Sequence, residues 1–287
     1  MLQRRSSGLR ISFALASVAL APACAGPALL PDAGAPRTAL LGSDPPCPPA
    51  DVPRTGELLT YGIRVAGLPV GGATLSTRSD AESTRVELTG ETNRLVDVFY
   101  DVRGVARTRL DAAGRPRSFY LRVDEDGKAN ERSLAFHEVP CLYYHPWNEE
   151  AWVAELTQFK TPRDPLSLLC ELRRLAPTTE PCDFEVAMTL RSFCYRARFL
   201  GRDDVSVGAG DFGGALLWRV EVRPYRELGE TVDVGPMVGF YDVAVSADAR
   251  RLPLRVTREF GFGSFALELE EVGTAGEELT ADAVAAR

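Results

Sequence analysis

Apolar residues at every second position, in many short stretches between Leu59 and Leu269, restrict this chain to a sheet with one buried face. Leu59, Tyr61, Ile63 and Val65 alternate with Thr60, Gly62 and Arg64, the pattern of a half-buried strand. Gly67-Leu-Pro-Val-Gly-Gly72 interrupts the alternation, and Ala73, Leu75 and Thr77 resume it, which predicts a hairpin. Asp111-Ala-Ala-Gly114 and Asp124-Glu-Asp-Gly127 predict two more, with glycine where a turn needs positive φ. Further strands are expected at Phe184/Val186/Met188/Leu190, Phe193/Tyr195/Ala197/Phe199, Leu216–Val222, Phe240–Val245, Leu254–Thr257 and Phe265–Leu269. So many short strands predict a mainly β fold with a curved, antiparallel sheet. One helix stands out. Asp164 is an N-cap before Pro165, and Leu166, Leu169, Cys170, Leu172 and Leu175 follow at helical spacing until Pro177. A shorter helix is expected around Leu95–Tyr100.

The N-terminus reads as an address. Arg4, Arg5 and Arg10 precede the uncharged run Ile11 to Ala21, and Ala21-Pro22-Ala23-Cys24 follows. A basic start, a short apolar run and small residues at a cut site make a secretory signal over residues 1–23. The run is too short to span a bilayer, which takes about 20 apolar residues. Cys24 directly after small residues resembles the lipobox of bacterial lipoproteins, so Cys24 is the lipidation candidate; the alternative is a soluble secreted chain. Residues 24–55 carry that cysteine and then eight prolines with few bulky apolar side chains. Such a segment cannot offset its ordering entropy and is expected to be an extended tether. A single β-rich domain then occupies 56–272, and 273–287 reads as a flexible tail.

Charge excludes some partners. The chain holds 33 basic and 40 acidic residues, and loss of the signal leaves 30 basic residues, a mature charge of about −10. That balance disfavours nucleic acid and anionic lipid.

Four segments in this order resemble the bacterial family called domain of unknown function 3108, which consists of exported proteins. They are Gly56-Glu-Leu-Leu-Thr-Tyr61 with Gly71-Gly-Ala-Thr-Leu75, the helix start Asp164-Pro-Leu-Ser-Leu168 with Arg173, the turn Val207-Gly-Ala-Gly-Asp-Phe212, and Arg250-Arg-Leu-Pro-Leu-Arg-Val256. The resemblance implies a strongly curved antiparallel sheet forming an incomplete barrel, with one principal short helix packed near it. It implies no catalytic residues. Residues 136–161, rich in aromatics and acids, depart from the family pattern.

Several constellations invite a chemical reading. Gly208-Ala-Gly210-Asp-Phe-Gly213 satisfies the dinucleotide motif G-x-G-x-x-G, but the following residues alternate like a strand, so a hairpin is expected rather than a phosphate site. His137-Glu138 begins like a zinc-protease motif, yet the fifth residue is Cys141 and Pro140 opposes a helix. His137, Cys141 and His145, with Glu149, remain only as a loop alternative, and no metal or cofactor is expected. Ser167 lies in the first helical turn, where capping accounts for it. The acid pairs Asp203-Asp204, Glu149-Glu150 and Glu270-Glu271 read as solvated charges. Tyr143, Tyr144, Trp147, Trp152 and Phe159 form the candidate ligand surface, because such side chains stack on sugars and line grooves; core packing competes with that reading. Outside the cytoplasm disulfides are expected, and Cys170 with Cys182 is the candidate pair.

These readings point to a non-enzymatic, periplasmic and lipid-anchored envelope protein whose open barrel binds an apolar or glycan-like ligand or another envelope component. A lipid or lipoprotein carrier and an envelope hydrolase are the alternatives.

Overall fold

The computed structural model describes residues 54–274 apart from 99, 137–140, 148–149, 157–161, 188–191, 229–230, 235–236 and 261–262. Residues 1–23, Cys24, the tether up to residue 53 and the chain after 274 therefore lie outside the described residues.

The first half is a run of hairpins: β1 (Glu57–Val65), β2 (Leu68–Ser79), β3 (Ser83–Thr92), β4 (Val102–Asp111), β5 (Pro116–Glu125), β6 (Lys128–Phe136), β7 (Cys141–Trp147) and β8 (Glu150–Leu156). A one-turn helix, α1 (Arg94–Asp97), sits between β3 and β4, and α2 (Pro165–Arg174) follows β8. The second half comprises β9 (Cys182–Ala187), β10 (Ser192–Val207), β11 (Gly210–Leu228), β12 (Thr231–Val234), β13 (Gly239–Val245), β14 (Pro253–Phe260) and β15 (Gly263–Thr274). The order in the sheet is β8-β7-β6-β5-β4-β3-β2-β1-β15-β14-β13-β11-β10-β9, with β12 paired to β11. Antiparallel pairing of β1 with β15, Ile63 opposite Leu267, joins the two ends of the domain. The sheet curls into a nearly closed barrel, as the alternation and the resemblance implied.

Turn chemistry explains the hairpins. Asp126 and Gly127 have φ of 49° and 75°, and Ala66 and Gly67 have 50° and 80°. Left-handed residues at both turn positions match the right-handed twist of the flanking strands. The expected interruption at Gly67–Gly72 is narrower than the sequence suggested. The turn is Ala66–Gly67 alone, and β2 runs on through the glycines. Leu68 and Pro69 are exposed there, which blurs the period. Gly71 marks a close approach of two backbones, since a Cβ at that position would overlap the Glu91 carbonyl oxygen and lie 3.0 Å from Thr92 Cα.

The β10–β11 hairpin is the longest. Its register shifts at Phe199/Gly201 and at Asp203/Val205, and bulges of this kind bend a strand pair. Val207 pairs with Gly210 across the Gly208–Ala209 turn, so G-x-G-x-x-G closes a hairpin and feeds no helix. The bent tip reaches β15, where the Ala209 amide donates to the Leu269 carbonyl at 3.1 Å. A Cβ on Gly208 would stand 3.1 Å from Glu270 Cα, so glycine permits the contact.

Two apolar clusters pack against the sheet, and α2 belongs to both. Leu166 and Cys170 pack with Leu59, Tyr61, Leu110 and Phe119, while Leu168 and Leu172 pack with Val186, Tyr195, Trp218 and Val243. Residues two apart lie about 200° apart around a helix, so α2 is buried on opposite faces.

Gly71→Ala is expected to destabilise the protein by about 2–4 kcal/mol, because backbone rather than a flexible side chain must give way. Urea denaturation checks this; Gly72→Ala, whose Cβ would have 3.5 Å to the nearest atom, is the control expected to cost far less.

Candidate functional site

Asp164 begins α2 with a complete capping box. Its Oδ1 accepts from the Leu166 and Ser167 amides at 2.9 and 3.0 Å, and its own amide donates to Ser167 Oγ at 2.9 Å. Ser167 is thereby explained as a cap, as its position predicted. The second carboxylate oxygen accepts from the Thr108 hydroxyl of β4 at 2.8 Å. Burial raises the Asp164 carboxyl above its ordinary range despite these bonds.

Arg173 secures the other end of the helix. It is 1% exposed, and its Nη1 and Nη2 donate to the two carboxylate oxygens of Glu57 at 2.7 and 2.8 Å. Its Nε donates to the Arg251 carbonyl at 2.8 Å, and Nη2 also donates to the Arg250 carbonyl at 3.0 Å. Burial lowers the tendency of Arg173 to stay charged, but Glu57 outweighs it and holds the guanidinium protonated. The loop supplying those carbonyls is itself braced: Ser246 Oγ donates to Asp248 at 2.7 Å and accepts from the Leu252 amide at 2.8 Å.

Length matches this bracing. From Asp164 to Arg173 a helix rises about 14 Å, and from β4 to β1 the sheet spans three strand spacings, also about 14 Å. The helix therefore crosses β1–β4 with one polar tie at each end. Beside the Arg173 end, the Tyr61 hydroxyl donates to the Pro253 carbonyl at 3.0 Å, and burial pushes that phenol far above its usual value. Burial pushes the Cys170 thiol up to about 12, so it is not a nucleophile near neutral pH.

The four sequence segments that carried the resemblance converge on this end of the barrel. Glu57 and Tyr61 come from the first, Asp164, Ser167 and Arg173 from the second, Gly208 and Ala209 from the third, and Arg250, Arg251 and Pro253 from the fourth. The DUF3108 family, described as a protein of unknown function, matches residues 59–270.

This chain belongs to the DUF3108 family.

No curated protein matches it. Among solved structures, a β-barrel-like protein of domain of unknown function DUF1849 from Brucella abortus is similar at 12% identity and TM-score 0.50, over 76% of this chain and 97% of that one. A YmcC-like protein from Bacteroides fragilis, 10% identical, has TM-score 0.29 over 77% of this chain and 97% of its own. A hypothetical protein from Chlamydia trachomatis, 11% identical, has TM-score 0.30 over 77% and 88%. The first of these likenesses places the DUF3108 chain in a β-barrel-like fold.

The remaining expected site residues fall elsewhere. Tyr143, Tyr144 and Trp147 lie in β7 and Trp152 in β8, at one end of the sheet order. The register pairs Tyr143 with Ala154, Tyr144 with Val153, His145 with Trp152 and Trp147 with Glu150. Tyr143, Trp147 and Trp152 thus hold positions of one parity and Tyr144 of the other, whereas Phe159 and Cys24 lie outside the described residues. Four residues of extended strand put Cys141 and His145 about 13 Å apart, too far to share a metal ion; His137 and Glu149 lie outside the described residues.

The expected Cys170–Cys182 disulfide is not formed, and both thiols are free. Cys170 turns into the cluster with Leu166, whereas it is Leu168 and Leu172 that meet Val186 of β9. The helical phase therefore points Cys170 away from the strand that Cys182 opens.

Arg173→Met is expected to cost about 3–5 kcal/mol, because it leaves the buried Glu57 carboxylate without its partner. Glu57→Met/Arg173→Met is expected to cost less than the sum of the single changes. Equilibrium denaturation of the four proteins reads the coupling, and strict additivity would show that the pair does not act as a unit.

Proposed function

We propose that the protein is a non-enzymatic component of the bacterial cell envelope, exported by residues 1–23, held to a membrane through acylated Cys24, and specialised for binding. The observation that carries this reading is the state of the polar groups at the convergence of the four segments. Asp164, Glu57 and Arg173 are each engaged in bonds that position α2. Cys170 and Tyr61 are held in their neutral forms by burial. General acid–base or nucleophilic catalysis needs a group poised near working pH and within reach of substrate, and this cluster is built for support instead. That weighs against the hydrolase alternative. The carrier alternative needs a continuous apolar cavity, whereas seven residues of α2 are buried, with apolar side chains committed to both clusters.

Recognition is assigned to the β7–β8 hairpin. It lies at one end of the sheet order and carries Tyr143, Tyr144, Trp147 and Trp152. Aromatic faces of this kind suit a glycan ring or an apolar ligand. The proline-rich tether after Cys24 then holds the domain away from the bilayer.

Two measurements test the reading. Intact mass of membrane-extracted protein is expected to show loss of residues 1–23 and an acyl adduct that Cys24→Ala abolishes; an unprocessed chain, or a processed chain without adduct, contradicts the anchor. Tryptophan fluorescence tests the surface, because Trp218 is 2% exposed and leaves Trp147 and Trp152 as the reporters. Titration with phenylnaphthylamine as apolar probe and maltoheptaose as glycan probe is expected to give a saturable signal with at least one of them. Trp147→Ala/Trp152→Ala is expected to weaken that binding at least about tenfold. Equal binding to both proteins, measured by calorimetry, refutes the assignment.

A further inference from the structure

The three most exposed large apolar side chains among the described residues stand together at one end of the barrel. Leu95 is 82% exposed, Val98 79% and Leu68 68%. Leu95 and Val98 are three residues apart on the α1 turn and so share a face; Leu68 follows the Ala66–Gly67 turn. Asn93 fastens the two segments to each other. Its amide donates to the Val70 carbonyl at 2.9 Å and its Nδ2 to the Pro69 carbonyl at 2.9 Å. Its Oδ1 meanwhile accepts from the Leu95 and Val96 amides at 3.1 Å each. From below, the Thr92 hydroxyl donates to Asp97 at 2.6 Å and accepts from the Val102 amide at 3.0 Å. The exposed aliphatics are therefore displayed on a braced support rather than on a frayed end.

Size and shape narrow the occupant. Three side chains of this kind bury roughly 300 Å², well short of the ~800 Å² per partner that a stable protein interface takes. The group is aliphatic and sits on a protruding turn and a single helical turn. A fluid bilayer boundary accepts such a protrusion without matching its shape. Exposed Arg94 flanks it, as does Arg64, which pairs with Glu268 at 3.2 Å, and a long cationic side chain such as Arg94 lays its stem along apolar surface while the charge stays at headgroup level. We infer that this end of the barrel inserts Leu68, Leu95 and Val98 into the headgroup–acyl boundary of a membrane.

The contact goes beyond an anchor at Cys24 and does not require it. The described chain enters the domain at the opposite end of β1, about 30 Å away by strand rise. The roughly 30 residues between Cys24 and that point reach about 90 Å when extended, so an anchored chain can still lay this end on the bilayer.

The test uses the mature chain, residues 24–287, with Cys24→Ala, so that neither an acyl group nor the apolar run of the signal drives binding, and vesicles of phosphatidylcholine, chosen because the mature charge of about −10 opposes anionic lipid. The Cys24→Ala protein is expected to co-sediment with the vesicles. Adding Leu95→Glu and Val98→Glu is expected to lower the partition coefficient at least about tenfold, with thermal unfolding unchanged because both positions are exposed. Failure of the Cys24→Ala protein to sediment overturns the inference, as does equal sedimentation of the two proteins. A dimer seen by analytical ultracentrifugation that the glutamates dissolve, without vesicle binding, also overturns it and assigns the surface to a second copy. Acylation is read separately by mass on the unaltered chain, so the two proposals fail independently.

Discussion

The Glu57–Arg173 pair decides where the helix lies, and the helix decides how the sheet can close. A buried ion pair contributes little net stability, because desolvating both charges consumes much of their attraction. Its force is conditional: any arrangement that separates the partners leaves a charge in an apolar interior. Arg173 is further committed to the carbonyls of Arg250 and Arg251, so one guanidinium links the first strand, the helix and the loop before β14. The Asp164–Thr108 bond fixes the opposite end of the helix on β4. A helix tied at two points separated by its own length cannot slide or rotate without breaking one of them.

Much of this architecture was legible before any coordinates. Side-chain period two located the strands because one sheet face is buried, and Asp164-Pro165 located the helix because a cap and a proline at the first position serve only a helix start. The Gly208–Gly213 motif was read correctly because strand alternation follows it. What was not legible is the pairing of groups far apart in the chain. Glu57 and Arg173 are 116 residues apart, and neither carries a local signal naming the other. The same holds for the bulges that bend β10–β11 toward β15, and for Gly71, whose need for glycine arises from the carbonyl of Glu91. The Cys170–Cys182 pairing failed for a related reason. Spacing placed both near the end of α2, but the helical phase, set by two opposed clusters, turned Cys170 elsewhere. For the aromatic segment, composition alone drew attention, and the β7–β8 register now adds which positions share parity.

Membership of the DUF3108 family and the likeness to a DUF1849 barrel at 12% identity concern the fold alone. The four segments that mark the family meet where α2 is tied across the barrel, in a cluster whose polar groups are committed to one another. Specification of the fold, more than its net stability, resides there. The two surfaces proposed to meet other molecules lie elsewhere: the aromatic hairpin at one end of the sheet order and the aliphatic end at α1.

Amide hydrogen exchange along α2, followed by mass spectrometry, tests the central claim most directly. If the two ties make the helix part of the barrel's cooperative unit, the amides of residues 169–174 exchange only through global unfolding, with the same protection free energy as the paired amides of β1. Exchange of those helix amides through a local opening, while β1 and β15 stay protected, would contradict the account.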